Sequence, residues 1–362
     1  MKPKTANTRE PVRVLVLGTG QMGCGIARLV LEKQGLELVG AFAKRRERAG
    51  MDVGRAIGLE RDLDLRIGGD LSAAIDESEP QVAIQATCST VPQAVPEITE
   101  LLGHGVHVVS IAEEMAYPAY RHPELADDIR ALAVASGVGV VGTGVNPGFV
   151  LDLLVIALSG VCCDVRSIIA ERVNDLSPYG PTVLKSQGVG LQPEAFYKGV
   201  QDGSVVGHYG FPQSIHMIAE ALGWDIERIE EARAPIVSKV RRATPFVTVE
   251  AGMVAGCLHK AIAYCRGEPV ITLSHPQQIQ PELEGVQTGD RIEISGTPDV
   301  RLGGSPEIPG GTATCALAVN MIPRLLNAPP GLFTMADLPV PSALLGDARR
   351  RIANPLAEHR HG

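Results

Sequence analysis

The chain has no CxxC pair, no three histidines at ligand spacing and no other metal-binding spacing, so no metal is expected. Its seven cysteines are an odd number, and Cys162 and Cys163 are adjacent, which is poor geometry for a bridge. They read as reduced core thiols of a cytoplasmic protein. No block of like charge occurs within a net charge of −8, and no DNA-binding element is visible. Nucleic acid and membrane surfaces are therefore not expected as partners. The strongly apolar run "DLLVIALSGVCCD" is bounded by Asp152 and Asp164 and falls far short of the roughly 20 residues that span a bilayer. Ala131–Leu151 is also uncharged, but glycines and Asn146-Pro147 break it. No signal-peptide h-region is present, because the first apolar run, Val12–Leu17, goes straight into a glycine turn. Repeats and low-complexity segments are missing too, and the tail "AEHRHG" is expected to fray.

What is present fits a two-domain α/β enzyme. The chain has 362 residues, enough for two domains of about 150 each. Its 40 glycines and 26 prolines cluster at turns. Short β-branched runs recur at Val12–Leu17, Leu36–Phe42, Leu63–Ile67, Val82–Ala86, Val106–Ile111 and Val138–Val141, with helical spacing between most of them. That alternation predicts a Rossmann-type doubly wound parallel sheet over residues 1–145. The continuous apolar runs suit a sheet covered on both faces. After Pro147 the rhythm changes, and residues 146–310 are expected to form an α+β substrate and dimerisation domain. There "RSIIAERVND" and "DRIEISGTPDVRL" read as strands, and "QSIHMIAEALGW" and Thr248–Tyr264 as helices. In the segment 311–362 a helix of roughly three turns is expected from Thr312, ended or kinked by Pro323 and returning to the first domain.

The run "VRVLVLGTGQMGCG" places Gly18, Gly20 and Gly23 between a strand and an amphipathic helix. In that context the spacing is a dinucleotide fingerprint: a tight turn, a close approach to pyrophosphate, and close helix–strand packing. Gln21 and Met22 lie in the same turn, where the helix start offers N–H groups to phosphates. NAD-preferring sites usually carry an acid about 20 residues further on. Here Lys44, Arg45 and Arg46 follow Ala43 instead, which suits the 2′-phosphate of NADP(H), with NAD(H) use left open. Thr87, Cys88 and Ser89 follow the fourth strand, near the expected nicotinamide ribose or as a helix N-cap. Cys88 lacks a His or Lys neighbour in sequence and is a weak nucleophile candidate.

The fifth strand ends at "VVSIAEEMAYPAY". Ala112 is a further cofactor candidate, and Glu113 and Glu114 stand where the carboxyl ends of the strands face the ligand crevice. A carboxylate buried there suits general-base work and attracts a cationic substrate. From position alone, a helix-start glutamate held by the helix dipole fits equally well.

Taken together, "GTGQMG", "SIAEEMAYP", "GTGVNPGF", "GHYGF", "MIAEALGW", "GGTATCALAVNMIP" and "APPGLFTMADLP" resemble the 2,4-diaminopentanoate dehydrogenase family, over most of residues 12–340. That family includes the native amine dehydrogenases, and its N-terminal domain resembles dihydrodipicolinate reductase. The resemblance implies oxidative deamination of an amine, or reductive amination of a small ketone or aldehyde with ammonia. It also implies that the catalytic glutamate is Glu113, with Glu114 as the second choice, and that the enzyme is a homodimer. Further substrate candidates are Val145, Phe149, Val150, Tyr179, His208 and Thr314; Asn146 is a cofactor candidate in a loop that otherwise reads as a Pro-Gly hinge. Tyr179 could equally be a surface residue and His208 structural, while Thr312 or Thr314 reads as an N-cap of the late helix. Three rival readings fit the sequence less well. A dihydrodipicolinate reductase-like imine reductase lacks its His-His pair here, a semialdehyde dehydrogenase lacks its cysteine, and an NADP-binding sensor without turnover sits poorly with Glu113.

Overall fold

A computed structural model describes residues 10–352; the tail "AEHRHG" lies outside them. The chain divides into two compact units, one running to Val145 and resuming at Gly310, the other spanning Asn146–Pro309.

The first unit alternates β1 (Val12–Leu17), α1 (Gln21–Glu32), β2 (Leu36–Phe42), α2 (Val53–Ala56), β3 (Ile67–Gly68), α3 (Leu71–Ser78), β4 (Val82–Gln85), α4 (Val91–Gly103), β5 (His107–Ser110), α5 (Pro123–Ala135) and β6 (Gly139–Gly142). Val14 through Leu17 and Val82 through Ile84 are fully buried, as strands between two helix layers must be. The third strand is shorter than its apolar run suggested. The Asp52 side chain, which caps α2, also accepts from the Leu63 N–H at 3.1 Å and holds that segment out of the sheet.

After Gly310 the chain adds α10 (Gly310–Asn320), α11 (Ile322–Leu326) and β15 (Gly331–Phe333) to this unit. β15 pairs in parallel with β6, Leu332 opposite Val140. The seven strands run in the order β15-β6-β5-β4-β1-β2-β3, all parallel. The order reverses between β1 and β4, and ligands of such sheets bind outside the carboxyl ends at that point. α10 packs on α1, where Cys315 Sγ approaches Gly25 and lies 3.6 Å from the Met22 carbonyl oxygen. The helix is interrupted at Pro323 as expected: α10 stops at Asn320, since Pro323 has no N–H for the Val319 carbonyl, and Pro323 sits in the first turn of α11, where its missing N–H costs nothing.

The second unit contains α6 (Leu153–Ser159), β7 (Asp164–Asp175), α7 (Pro181–Ser186), α8 (Pro193–Asp202), α9 (Phe211–Leu222), β8 (Arg228–Val237), β9 (Arg242–Ala243), β10 (Thr248–Val249), β11 (Val254–Cys265), β12 (Glu268–Gln278), β13 (Gly289–Thr297) and β14 (Val300–Gly304). Six strands form a mixed sheet in the order β14-β13-β7-β12-β11-β8. The expected helix over Thr248–Tyr264 is instead β10 and β11. Its side chains follow a period of two: Cys257, His259, Ala261 and Ala263 are buried, while Leu258 and Lys260 are exposed. The register sets polar residues in a row across the covered face, with Arg233 opposite His259, His259 opposite His275, and Arg172 opposite Asp290. α8 packs on β8 and α9 on β11. On the other face Leu258 and Ile169 are exposed.

Candidate active site

The carboxyl edge of the first sheet gathers most of the predicted cofactor residues. Gly18 follows β1 with φ +107°, the left-handed region, and a Cβ there would lie 2.5 Å from the Ala86 oxygen. At Gly23 a Cβ would come within 1.9 Å of the Gly18 oxygen, so only glycine lets α1 sit this close to the turn. Gly20 differs: a Cβ there would meet nothing within 4 Å, so its backbone faces open space. Gly20 is also the N-cap of α1 and brings no side-chain cap, leaving the N–H groups of Gln21, Met22 and Gly23 turned toward that space. An open backbone in front of a helix start is what a diphosphate requires.

The β4–α4 connection carries a second polar group of residues. Buried Gln85 donates to Glu97 Oε2 at 2.6 Å and accepts from the Ser110 hydroxyl at 2.8 Å; Ser110 in turn accepts from the Ala112 N–H at 3.2 Å. The Thr87 hydroxyl makes a short hydrogen bond to the same Glu97 oxygen. Lys44 Nζ lies 3.0 Å from Glu97 Oε1, while Arg45 and Arg46 are exposed. Burial pushes the Cys88 thiol up from its ordinary value, which disfavours a thiolate.

The two glutamates part company. Glu114 turns inward and is buried. Its Oε2 accepts from the Val91 N–H at 2.9 Å, the first residue of α4, and its carboxylate pairs with His122 at 3.5 Å and Arg121 at 3.8 Å. The N-cap expected from Thr87–Ser89 is thus supplied by Glu114, because Thr90 stands at the cap without using its side chain. Glu113 opens the short 3₁₀ turn Glu113–Ala116 and stays partly exposed at the strand edge. Burial raises its carboxyl above the ordinary value. Its own N–H and the Ser89 hydroxyl oppose that rise, and Glu114 adds to it. The turn packs tightly on β6, since a Cβ at Gly142 would lie 1.8 Å from the Met115 oxygen. Val145 is buried, and its N–H donates to the Thr314 hydroxyl at 3.1 Å. α10 begins at Gly310, so neither Thr312 nor Thr314 is its N-cap.

The second unit has its own polar centre. The Asn146 amide nitrogen lies 3.2 Å from His208 Nε2 and 3.5 Å from His275 Nδ1. The His208 N–H donates to His259 Nδ1 at 3.1 Å, so the other ring nitrogen of His259 carries the proton it gives Glu231 at 3.0 Å. Burial first, and then neighbouring imidazoles and Arg172, hold His208 and His275 well below the usual histidine range, so both are neutral. His275 Nε2, Asn146 Oδ1 and Asn174 Oδ1 are buried without a hydrogen-bond partner, which leaves a donor and two acceptors. Fully buried Asp152 fastens the Gly148 N–H at 2.7 Å and the Ser214 hydroxyl at 2.8 Å, tying the loop of Phe149 to α9. Phe149 is half-buried, and Val150 is wholly buried and so part of the core. Tyr179 packs on Leu176 and Leu184, and burial raises its hydroxyl.

Nothing in the sequence marks Glu97, Gln85, Ser110 or His275 as site residues, and Asp152 reads there only as the boundary of an apolar run. Glu97 stands mid-helix like a solvated charge, and His275 gains its neighbours only through sheet register. Among the described residues no cluster of three His, Cys, Asp or Glu could hold a metal.

The first unit is therefore the nucleotide-binding half of an NAD(P)-dependent oxidoreductase. Residues 12–111 match the model of the dihydrodipicolinate reductase N-terminus, and residues 149–354 that of the 2,4-diaminopentanoate dehydrogenase C-terminal domain. The chain is 46% identical to 2,4-diaminopentanoate dehydrogenase of Acetoanaerobium sticklandii, over 95% of its own length and 98% of that protein's. It is 27% identical to an amine dehydrogenase of Streptomyces virginiae, over 92% and 98% of the two chains. The solved structure of an amine dehydrogenase from Mycobacterium smegmatis superposes with a TM-score of 0.82 at 26% identity, covering 91% of this chain and 97% of that one. The chain belongs to the 2,4-diaminopentanoate dehydrogenase family.

Proposed function

We propose that the chain oxidatively deaminates a small primary amine and, in reverse, aminates a ketone or aldehyde with ammonia, with Glu113 as the acid–base residue and NADP(H) as the preferred cofactor. The observation that carries this is the contrast between the two glutamates: Glu114 is engaged in structure, while Glu113 is left at the strand edge with a raised pKa. In the deamination direction the Glu113 carboxylate takes a proton from the substrate ammonium, leaving the neutral amine that can give up hydride. The nicotinamide, when bound, supplies the hydride acceptor at C4. Once Glu113 has passed that proton to solvent, loss of hydride from the amine carbon gives an iminium cation, which the restored carboxylate stabilises through charge. Glu113 next takes a proton from the attacking water and returns one to nitrogen as the carbinolamine collapses, releasing ammonia and the carbonyl product.

The relative at 46% identity is named for 2,4-diaminopentanoate, which makes that diamine the first substrate to assay. Exposed Arg45 and Arg46 support the preference for a 2′-phosphate. Exposed Leu258 and Ile169 on the open sheet face support a homodimer; a monomer mass by light scattering would count against it. Seven free cysteines support a cytoplasmic setting, which cell fractionation tests. No helix among the described residues is long and apolar enough to cross a membrane.

The direct assay follows NADPH oxidation with small ketones and aldehydes, with and without ammonium. Turnover should require ammonium and should vanish in Glu113→Ala. Turnover independent of ammonium would overturn the reading, and an active Glu113→Ala would overturn the role of Glu113.

A further inference from the structure

We infer that Glu97 sets the cofactor preference by holding Lys44 away from the 2′-position, so that the 2′-phosphate is left to Arg45 and Arg46. This rests on the proposed placement of the cofactor's adenosine ribose at the end of β2. Lys44 is the second residue after that strand, yet its ammonium lies 3.0 Å from Glu97 Oε1 on α4. The two partners are held very differently. The Glu97 side chain is 6% exposed and that of Lys44 49%. Glu97 Oε2 accepts from Gln85 at 2.6 Å and from the Thr87 hydroxyl, and Gln85 is itself fixed by Ser110. Glu97 Oε1 has no directed hydrogen bond, so its contact with Lys44 is one of charge alone. Glu97 is therefore the fixed partner and Lys44 the mobile one.

A 2′-phosphate could recruit Lys44 only by leaving a buried carboxylate uncompensated beside a dianion. Removing the counter-charge of a buried carboxylate is costly, while replacing both partners is less so. The Lys44–Glu97 pair thus acts as an electrically neutral unit at the ribose end, and it keeps the discrimination between NADPH and NADH below what three free cations would give.

The test is the ratio of dissociation constants for NADH and NADPH, measured by isothermal titration calorimetry on the full chain without substrate. Glu97→Gln keeps an oxygen for Gln85 and Thr87 but frees Lys44. It should raise the ratio by about two- to fivefold, the worth of one half-exposed ion pair. Lys44→Met combined with Glu97→Gln should bring the ratio back to the wild-type value. An unchanged ratio in Glu97→Gln overturns the inference, and so does a double variant that keeps the raised ratio, since Lys44 would then not be the mediator. Should Glu97→Gln not fold, Arg45→Met with Arg46→Met alters only exposed side chains. It should abolish most of the preference, and an undiminished preference would show that Lys44 does the holding. The placement itself is tested separately: 2′,5′-ADP should bind more weakly to the variant with all three cations changed to Met. Equal binding there would sink the placement, whatever Glu97→Gln does.

Discussion

Replacing Ser89 with alanine should move the acid limb of the deamination profile to higher pH. The Glu113 carboxyl is raised by burial, and the Ser89 hydroxyl is one of two groups that pull it back. A hydrogen bond to a charged acceptor is worth about 1.5–3 kcal/mol, and one pKa unit corresponds to about 1.4 kcal/mol. Ser89 is only half-buried, so water can replace part of the lost bond. The expected shift is therefore about one unit upward. The assay is kcat/KM for the amine against pH in wild type and Ser89→Ala side by side, so that ionisation of the amine cancels. An acid limb that stays put or moves down would refute the pairing of Ser89 with Glu113. The same shift fixes a sign for stability. A carboxyl raised in the folded state binds its proton more tightly there than in the unfolded chain. The stabilisation is complete at pH below the unfolded value and is lost as pH rises through the folded one. Above that folded value the ionised Glu113 is thus a burden, and Glu113→Gln should melt higher there while losing activity.

Two glycines of the fingerprint should separate folding from binding. Gly20→Ala meets nothing within 4 Å and should melt close to wild type, yet bind NADPH at least tenfold more weakly by titration calorimetry, about 1.4 kcal/mol. Gly23→Ala drives a Cβ to 1.9 Å from the Gly18 oxygen and should lower stability by several kcal/mol, seen as a fall in melting temperature. Glu114→Ala removes the acceptor of the Val91 N–H and the counter-charge of His122 and Arg121, and should cost about 1–3 kcal/mol in denaturant unfolding. A smaller loss than in Glu113→Ala would contradict the structural role of Glu114.

The parts of this site that were readable in the sequence are those governed by local backbone rules. Gly18, Gly20 and Gly23 announce themselves because a strand, a turn and a helix start lie within one short stretch. The position of Glu113 follows from parallel-strand topology, but its separation from Glu114 does not. Glu114 caps a helix that begins 23 residues earlier, and only the packed fold brings Val91 to it. Thr248–Tyr264 misled because its glycines and alanines suit either period, and the neighbouring strands β8 and β12 decided the matter. Glu97 and His275 were invisible for a related reason. Each owes its partners to elements distant in sequence, Glu97 to β4 and the end of β2, His275 to β11 and the Asn146 loop.

The late return of the chain has a consequence for biosynthesis. β6 leaves the ribosome about 190 residues before β15, its outer neighbour, and in the interval the whole second unit is made. During that time the backbone edge of Gly139–Val141 has no strand beside it, and the face of α1 around Gly25 lacks α10. A nascent chain stalled anywhere in the second unit therefore displays an unpaired parallel edge, the feature that templates aggregation. Termination before Gly331 leaves the edge open for good. Premature stop codons late in the gene should thus yield insoluble protein, although every residue of the glycine fingerprint and Glu113 has already been translated.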